Sequence, residues 1–194
     1  MRQAKLLALM ISLCLFAGCA SGTEWEEKFS EKRAELAGAR GLSFTSRVSA
    51  DLGETVFDCT LECRRARGET TIRVTEPELA EGVTVRFKNG GESMDLGGTE
   101  LYLGQTQEAV PTPAHSAPMI FDALTGGHAV RLWTESGQDG EMLCAEVYAG
   151  EDCNVLLWLD TQELEPRYAQ IVCAGRAVIS CQISDFECEF DAAP

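Results

Sequence analysis

From Leu42 onward the apolar residues recur at every second position, and that period sets what the chain can become. Leu42, Phe44, Ser46, Val48 and Ala50 alternate with Ser43, Thr45, Arg47, Ser49 and Asp51. Successive side chains of a strand point to opposite faces, so this pattern marks a strand with one buried and one wet side. Thr55, Phe57, Cys59, Leu61 and Cys63 repeat it after a turn at Leu52-Gly53. Ile72 and Val74 follow, then Val83, Val85 and Phe87. Asn89-Gly90-Gly91 supplies a tight hairpin turn. Two short strands come next, 92–96 and 99–103, split by Gly97-Gly98. Strands joined in this way predict an antiparallel meander with one apolar face.

The pattern breaks at 105–114, a polar loop marked by Pro111 and Pro113. Ser116-Ala117-Pro118 then predicts a short helix, with serine at the N-cap and proline in the first turn. Met119, Ile120, Phe121 and Leu124 are its apolar residues, and Gly126-Gly127 stops it and offers it a hinge. Alternation resumes over 129–135, 142–149, 153–160, 167–173 and 176 to about 186. Strands 142–149 and 153–160 are apolar on both sides, which predicts central strands. The expected grouping is Leu143, Val147, Leu156 and Trp158 on one face and Met142, Tyr148, Val155 and Leu157 on the other.

The N-terminus carries an address. Arg2 and Lys5 precede an uncharged apolar run ending at Phe16-Ala17-Gly18-Cys19. The run is about a dozen residues, a signal-peptide core, and short of the roughly 20 needed to cross a bilayer. Its last four residues resemble the lipobox of bacterial lipoproteins, with Phe16 in place of the usual Leu. What that implies is a mature chain beginning at an acylated Cys19, on the extracytoplasmic face of a bacterial membrane. The alternative is an ordinary secretory signal that happens to contain Cys19. The division expected is 1–18 as signal peptide, 19–23 as lipid-anchored linker and 24–190 as a single domain. Thr23-Glu24-Trp25-Glu26 reads as a capping box opening a helix. Trp25, Phe29, Leu36 and Ala37 share one face of it, more in the manner of a core stripe than of a binding box.

Charge narrows the partners. The formal net charge is −15, and loss of Arg2 and Lys5 with the signal takes it to −17. Such a body is repelled by nucleic acid and by anionic headgroups. No Gly-x-Ser-x-Gly, phosphate loop or His-rich metal cluster is present, and His115 and His128 are not spaced as ligands. The reading is therefore of a non-enzyme with no cofactor, no catalytic residues and no metal site.

Helix, six strands, short helix, five strands is an order with a counterpart. The chain resembles the family of periplasmic lipoprotein carriers and their outer-membrane receptors, with related lipid-binding lipoproteins of Gram-positive bacteria. The matching positions are Ile72-Arg73-Val74 with Pro77, then Gly82; Pro111 and Pro113 with Ala117-Pro118; Leu159-Asp160 with Pro166; and Ser184-Asp185-Phe186. The resemblance, closer to the Gram-positive branch, implies a mainly β fold with helices. It would be a strongly curved antiparallel sheet of about eleven strands, an incomplete barrel with an N-terminal helix and a lid helix. It further implies an apolar groove for a lipid or acylated ligand. The alternating residues nominate its lining: Phe44, Val48, Phe57, Leu61, Ile72, Val74, Val85, Phe87 and Met94, with Met119, Phe121 and Leu124 from the lid. Alternation gives a buried face but does not say whether it is full. A second reading is therefore a lipid-anchored module with a filled core that docks an envelope protein. The receptors' protruding apolar loop is not evident in the sequence.

With Cys14 in the signal and Cys19 acylated, Cys59, Cys63, Cys144, Cys153, Cys173, Cys181 and Cys188 remain, an odd number. Cys59 and Cys63 lie about 13 Å apart along one strand, too far for a bridge. A hairpin centred near Glu163 sets Cys153 opposite Cys173, and that pair is the first choice if any disulfide forms. The others at apolar strand positions would act as small hydrophobes.

Overall fold

A computed structural model describes residues 20–51, 53–104, 111–137, 140–150 and 152–190. Cys19 and the residues before it lie outside that set. The chain begins with helix α1 (Ala20–Ala37). Six strands follow: β1 (Gly41–Asp51), β2 (Val56–Ala66), β3 (Glu69–Glu76), β4 (Thr84–Lys88), β5 (Gly91–Leu96) and β6 (Thr99–Gly104). Helix α2 (Ser116–Thr125) leads to β7 (Ala129–Gly137), β8 (Gly140–Gly150), β9 (Cys153–Asp160), β10 (Pro166–Cys173) and β11 (Arg176–Glu189). Every strand read from the sequence is present, with ends shifted by a few residues.

The strands form one antiparallel sheet of 11, in the order β6-β5-β4-β3-β2-β1-β11-β10-β9-β8-β7. Each meander is a run of sequence neighbours, and the first and last strands of the chain join them at the middle. The sheet does not close: β6 and β7 are its two edges. This joins the meanders that the strand pattern predicted into the incomplete barrel that the resemblance implied. Helix α2, carried in the connection between the two edges, packs against β2 and β3 of one meander and β8 and β9 of the other. It therefore covers the inner face across the central seam, and α1 lies against it and β7.

The inner face is built as the alternation required. Leu42, Phe44, Val48 and Ala50 of β1 are buried, as are Ile179, Cys181 and Ile183 of β11. They join Phe29 and Leu36 of α1 and Ile120, Phe121 and Leu124 of α2 in one continuous cluster. Trp25 packs against this cluster, but Ala37 is exposed, so the α1 stripe ends at Leu36.

Three local expectations are corrected. Helix α1 starts at Ala20, so residues read as linker are already helical and Thr23 is inside the helix. Ser116 does not cap α2. A 3-10 turn, Pro113–His115, runs into it, and Thr112 caps that turn through a reciprocal contact with His115. Ser116 instead donates its hydroxyl to Pro113 O at 2.6 Å. Finally, β8 and β9 pair with Leu143 opposite Leu159 and Val147 opposite Val155. Leu156 and Trp158 thus share the outer face with Met142, Cys144 and Tyr148, one residue away from the grouping the sequence suggested. Tyr148 is exposed there, while Met142 and Cys144 are buried.

Candidate functional site

Most of the proposed lining meets in one place. Phe44, Val48, Leu61 and Ile72 from the sheet share one buried cluster with Phe121 and Leu124 of α2, and Val85 is buried opposite Ile72 on β4. Val48, Ile72 and Phe121 have no exposed surface. The Phe121 ring lies 4.7 Å from that of Phe44, tilted by 42°. Val74, Phe87 and Met119 pack partly buried against the same cluster. Under α2 the inner face is thus occupied by the protein's own side chains.

Two predicted residues do not join. Met94 is half-buried on β5, opposite Val85 and Leu101. Phe57 is 42% exposed. It sits at the end of β2 away from α2, so it has the right parity and no cover. Beyond α2 the inner face continues over β5 and β6, where Leu96, Leu101 and Leu103 are exposed.

The lid helix is held by one arginine of β2. Arg65 continues the inner-face series of β2 that runs through Cys59, Leu61 and Cys63. Its Nη1 bonds Asp122 Oδ1 of α2 at 2.6 Å, its Nη2 donates to Pro118 O at 3.1 Å, and its Nε donates to Thr70 Oγ1 at 3.0 Å. The guanidinium carbon is 5.1 Å from the Phe121 ring centre, a cation–π distance. The parity of β2, followed two residues past Cys63, was the signal that could have found it. At the far end of α2, Arg33 of α1 donates to Gly127 O at 2.9 Å. Gly127 has φ +81, and a Cβ there would stand 3.1 Å from Val147 Cγ1, so only glycine fits. The expected hinge is therefore a tightly packed turn.

A polar pair lies at the rim of the covered face. Glu92 of β5 is buried, and His115 Nε2 stands 3.6 Å from its Oε2. Phe87 packs edge-on to the His115 ring at 5.3 Å. The turn between β3 and β4 carries Leu79, fully exposed beside Glu78.

Cys153 and Cys173 face each other in the β9–β10 register and form a disulfide, with alpha carbons 4.2 Å apart. Cys59, Cys63, Cys144 and Cys181 are buried free thiols, and Cys188 is half-buried. Burial pushes the Cys59 and Cys181 thiols up to about 11. Cys144 is pushed up to about 12 by burial, with the Glu135 carboxylate adding to it.

No family model matches the sequence, and no curated protein matches it. Solved structures do resemble the fold. An uncharacterized conserved protein from Thermus thermophilus superposes with a TM-score of 0.51 at 9% identity, covering 86% of this chain and 89% of that one. A putative outer membrane lipoprotein-sorting protein domain from Vibrio parahaemolyticus gives 0.48 at 9% identity, covering 89% and 94%. A LolA superfamily protein from Nitrosomonas europaea gives 0.42 at 14% identity, covering 87% and 94%. The likeness is one of fold. With its open eleven-stranded sheet and covering helices, the chain is a half-barrel, and that architecture is what it shares with the Thermus thermophilus protein.

Proposed function

We propose that this is a lipid-anchored protein of the extracytoplasmic face of a bacterial membrane, acting as a binding module whose inner face is filled by its own side chains. The observation that carries the reading is the packing under α2: Phe121, Val48 and Ile72 are fully buried within one cluster. A groove kept for an acyl chain would leave such side chains uncovered when empty. On this reading partners dock on the outside of the sheet, and the half-barrel serves as a rigid frame. The anchor is Cys19; among the described residues no helix is long and apolar enough to cross a membrane.

A second reading, binding of a lipid or acylated ligand on the inner face, is favoured by one specific observation. The strip formed by Phe87, Met94, Leu101 and Leu103 extends beyond α2 and is only partly covered. Native mass spectrometry of the folded domain separates the two. The filled-core reading expects the bare polypeptide mass; a copurifying acyl lipid in stoichiometric amount would overturn it in favour of the second. Anchoring is tested by metabolic labelling with a clickable fatty acid. Cys19→Ala should abolish the label, and label persisting on that variant would end the lipoprotein reading.

A further inference from the structure

The outer face of the sheet, where the filled-core reading has partners dock, carries a groove for which neither reading names a ligand. Its volume is about 820 Å³, within the roughly 300–1,000 Å³ typical of ligand sites. It crosses the sheet from β2 to β7, through the central seam, and the β7 residues Glu135, Ser136 and Gly137 form one wall. Two rows of cross-strand neighbours make its floor. In the first, Trp158 faces Tyr168, Tyr168 faces Gln182 and Gln182 faces Arg47. In the second, Gln170 faces Ser180, Ser180 faces Ser49 and Ser49 faces Asp58. At about 4.8 Å between strands, each row is about 14 Å long.

The side chains select a chemistry. An acyl chain laid here would strip water from Arg47, Asp58, Gln170 and Gln182 and give them nothing in return. A polyanion would meet Asp58 and Glu135 against Arg47 alone, on a chain of net charge −15. An uncharged sugar chain fits both constraints. Its rings offer C–H faces that lie well on Trp and Tyr, and its hydroxyls both donate and accept. Amide and hydroxyl side chains do the same, and Asp58 and Arg47 supply one strong acceptor and one strong donor. The platform is also preset. Trp158 donates its Nε1–H to Glu135 Oε2 at 3.0 Å, which fixes the indole against the wall, while Tyr168 beside it is 37% exposed.

We propose that this groove is a binding site for an uncharged polysaccharide, read by the aromatic pair Trp158 and Tyr168 and by the polar row Gln182, Arg47, Gln170 and Asp58. The site lies on the face opposite α2, so it stands whether or not the inner face takes a lipid.

The test is calorimetric titration of the full chain in detergent micelles with the hexasaccharides of N-acetylglucosamine, glucose in β-1,4 linkage and glucose in α-1,4 linkage, and with dextran sulfate as a polyanion control. At least one neutral hexasaccharide should bind, and dextran sulfate should not. Tyr168→Ala and Trp158→Ala should each weaken binding by about tenfold or more, a loss of about 1.4 kcal/mol, and Trp158→Phe should weaken it less. Gln182→Ala, on an exposed position that leaves the fold intact, should weaken it severalfold. If none of the three sugars binds at millimolar concentration, or if Tyr168→Ala and Gln182→Ala bind as the unaltered chain does, the proposal is wrong.

Discussion

Phe44 and Phe57 are the same residue type at the same parity of neighbouring strands, yet they do opposite things. Phe44 is 3% exposed and lies on Phe121, whereas Phe57 is 42% exposed. Phe44→Ala should therefore cost about 3–5 kcal/mol, the range for emptying a packed aromatic site, while Phe57→Ala should cost under about 1 kcal/mol, as for a surface change. Urea unfolding of the two variants checks this, and similar losses would mean that the inner face is looser than its burial indicates. Val85→Trp probes the same face by overfilling and should cost about 1–3 kcal/mol. The thiols give a pH dependence. In the unfolded chain Cys59 and Cys181 would ionise near their ordinary 9.0, but in the folded protein only near about 11. The folded state keeps its protons longer, so this stabilisation is complete below pH 9 and is lost as the pH rises through about 11. Denaturation midpoints across that window should fall, and Cys59→Ala with Cys181→Ala should flatten the fall. Alternation told which strand residues share a face, and Phe44, Val48, Leu61, Ile72 and Val85 were legible from it. It does not tell how far cover extends along a strand, so it nominates Phe57 for the lining although nothing covers that end of β2. Nor does it fix the register of a hairpin, so it groups Trp158 with Leu143, whereas the pairing sets Trp158 opposite Cys144 on the other face.

At the level of elements, α2 and the β9–β10 hairpin are each fastened by one device. For α2 it is Arg65, which reaches from the sheet to Asp122, Pro118 and Thr70. The Asp122 side chain is largely exposed, so the ion pair alone contributes little; the value lies in three hydrogen bonds made by one planar group. Arg65→Met keeps the apolar stem and removes them. It should cost about 1–3 kcal/mol, and amide exchange should quicken in α2 well before it does in β1 or β11. Uniform exchange across the domain would show that the helix does not open separately. For the hairpin the device is the Cys153–Cys173 bridge, closing a separation of 20 residues. Replacing both cysteines with serine should cost about 2–4 kcal/mol, and non-reducing peptide mapping should recover this link and leave Cys59, Cys63 and Cys181 as thiols. The bridge was legible because a short turn sets the sum of paired residue numbers. The start of α1 was less so. Thr23 with Glu26 reads as a local cap, but Ala20–Gly22 carry no signal strong enough to stop a helix from beginning earlier.

The whole molecule is two meanders sewn along one line. Residues 41–51 pair with residues 176–189 at the centre of the sheet, and every other pairing joins strands adjacent in the sequence. The order of strands was legible from turns and alternation; the seam was implied only through the resemblance, since no local pattern announces which distant strand will pair with β1. Helix α2 lies across the seam and touches both meanders, so it finishes a joint that the sheet must make first. This arrangement has a consequence in time. While β11 is missing, β1 and β10 each present a bare strand edge, the kind that invites pairing with another chain. A ribosome or a secretion channel delivers β11 last. Each meander can order itself as it emerges, but the protein becomes one body only when its final strand slides between them.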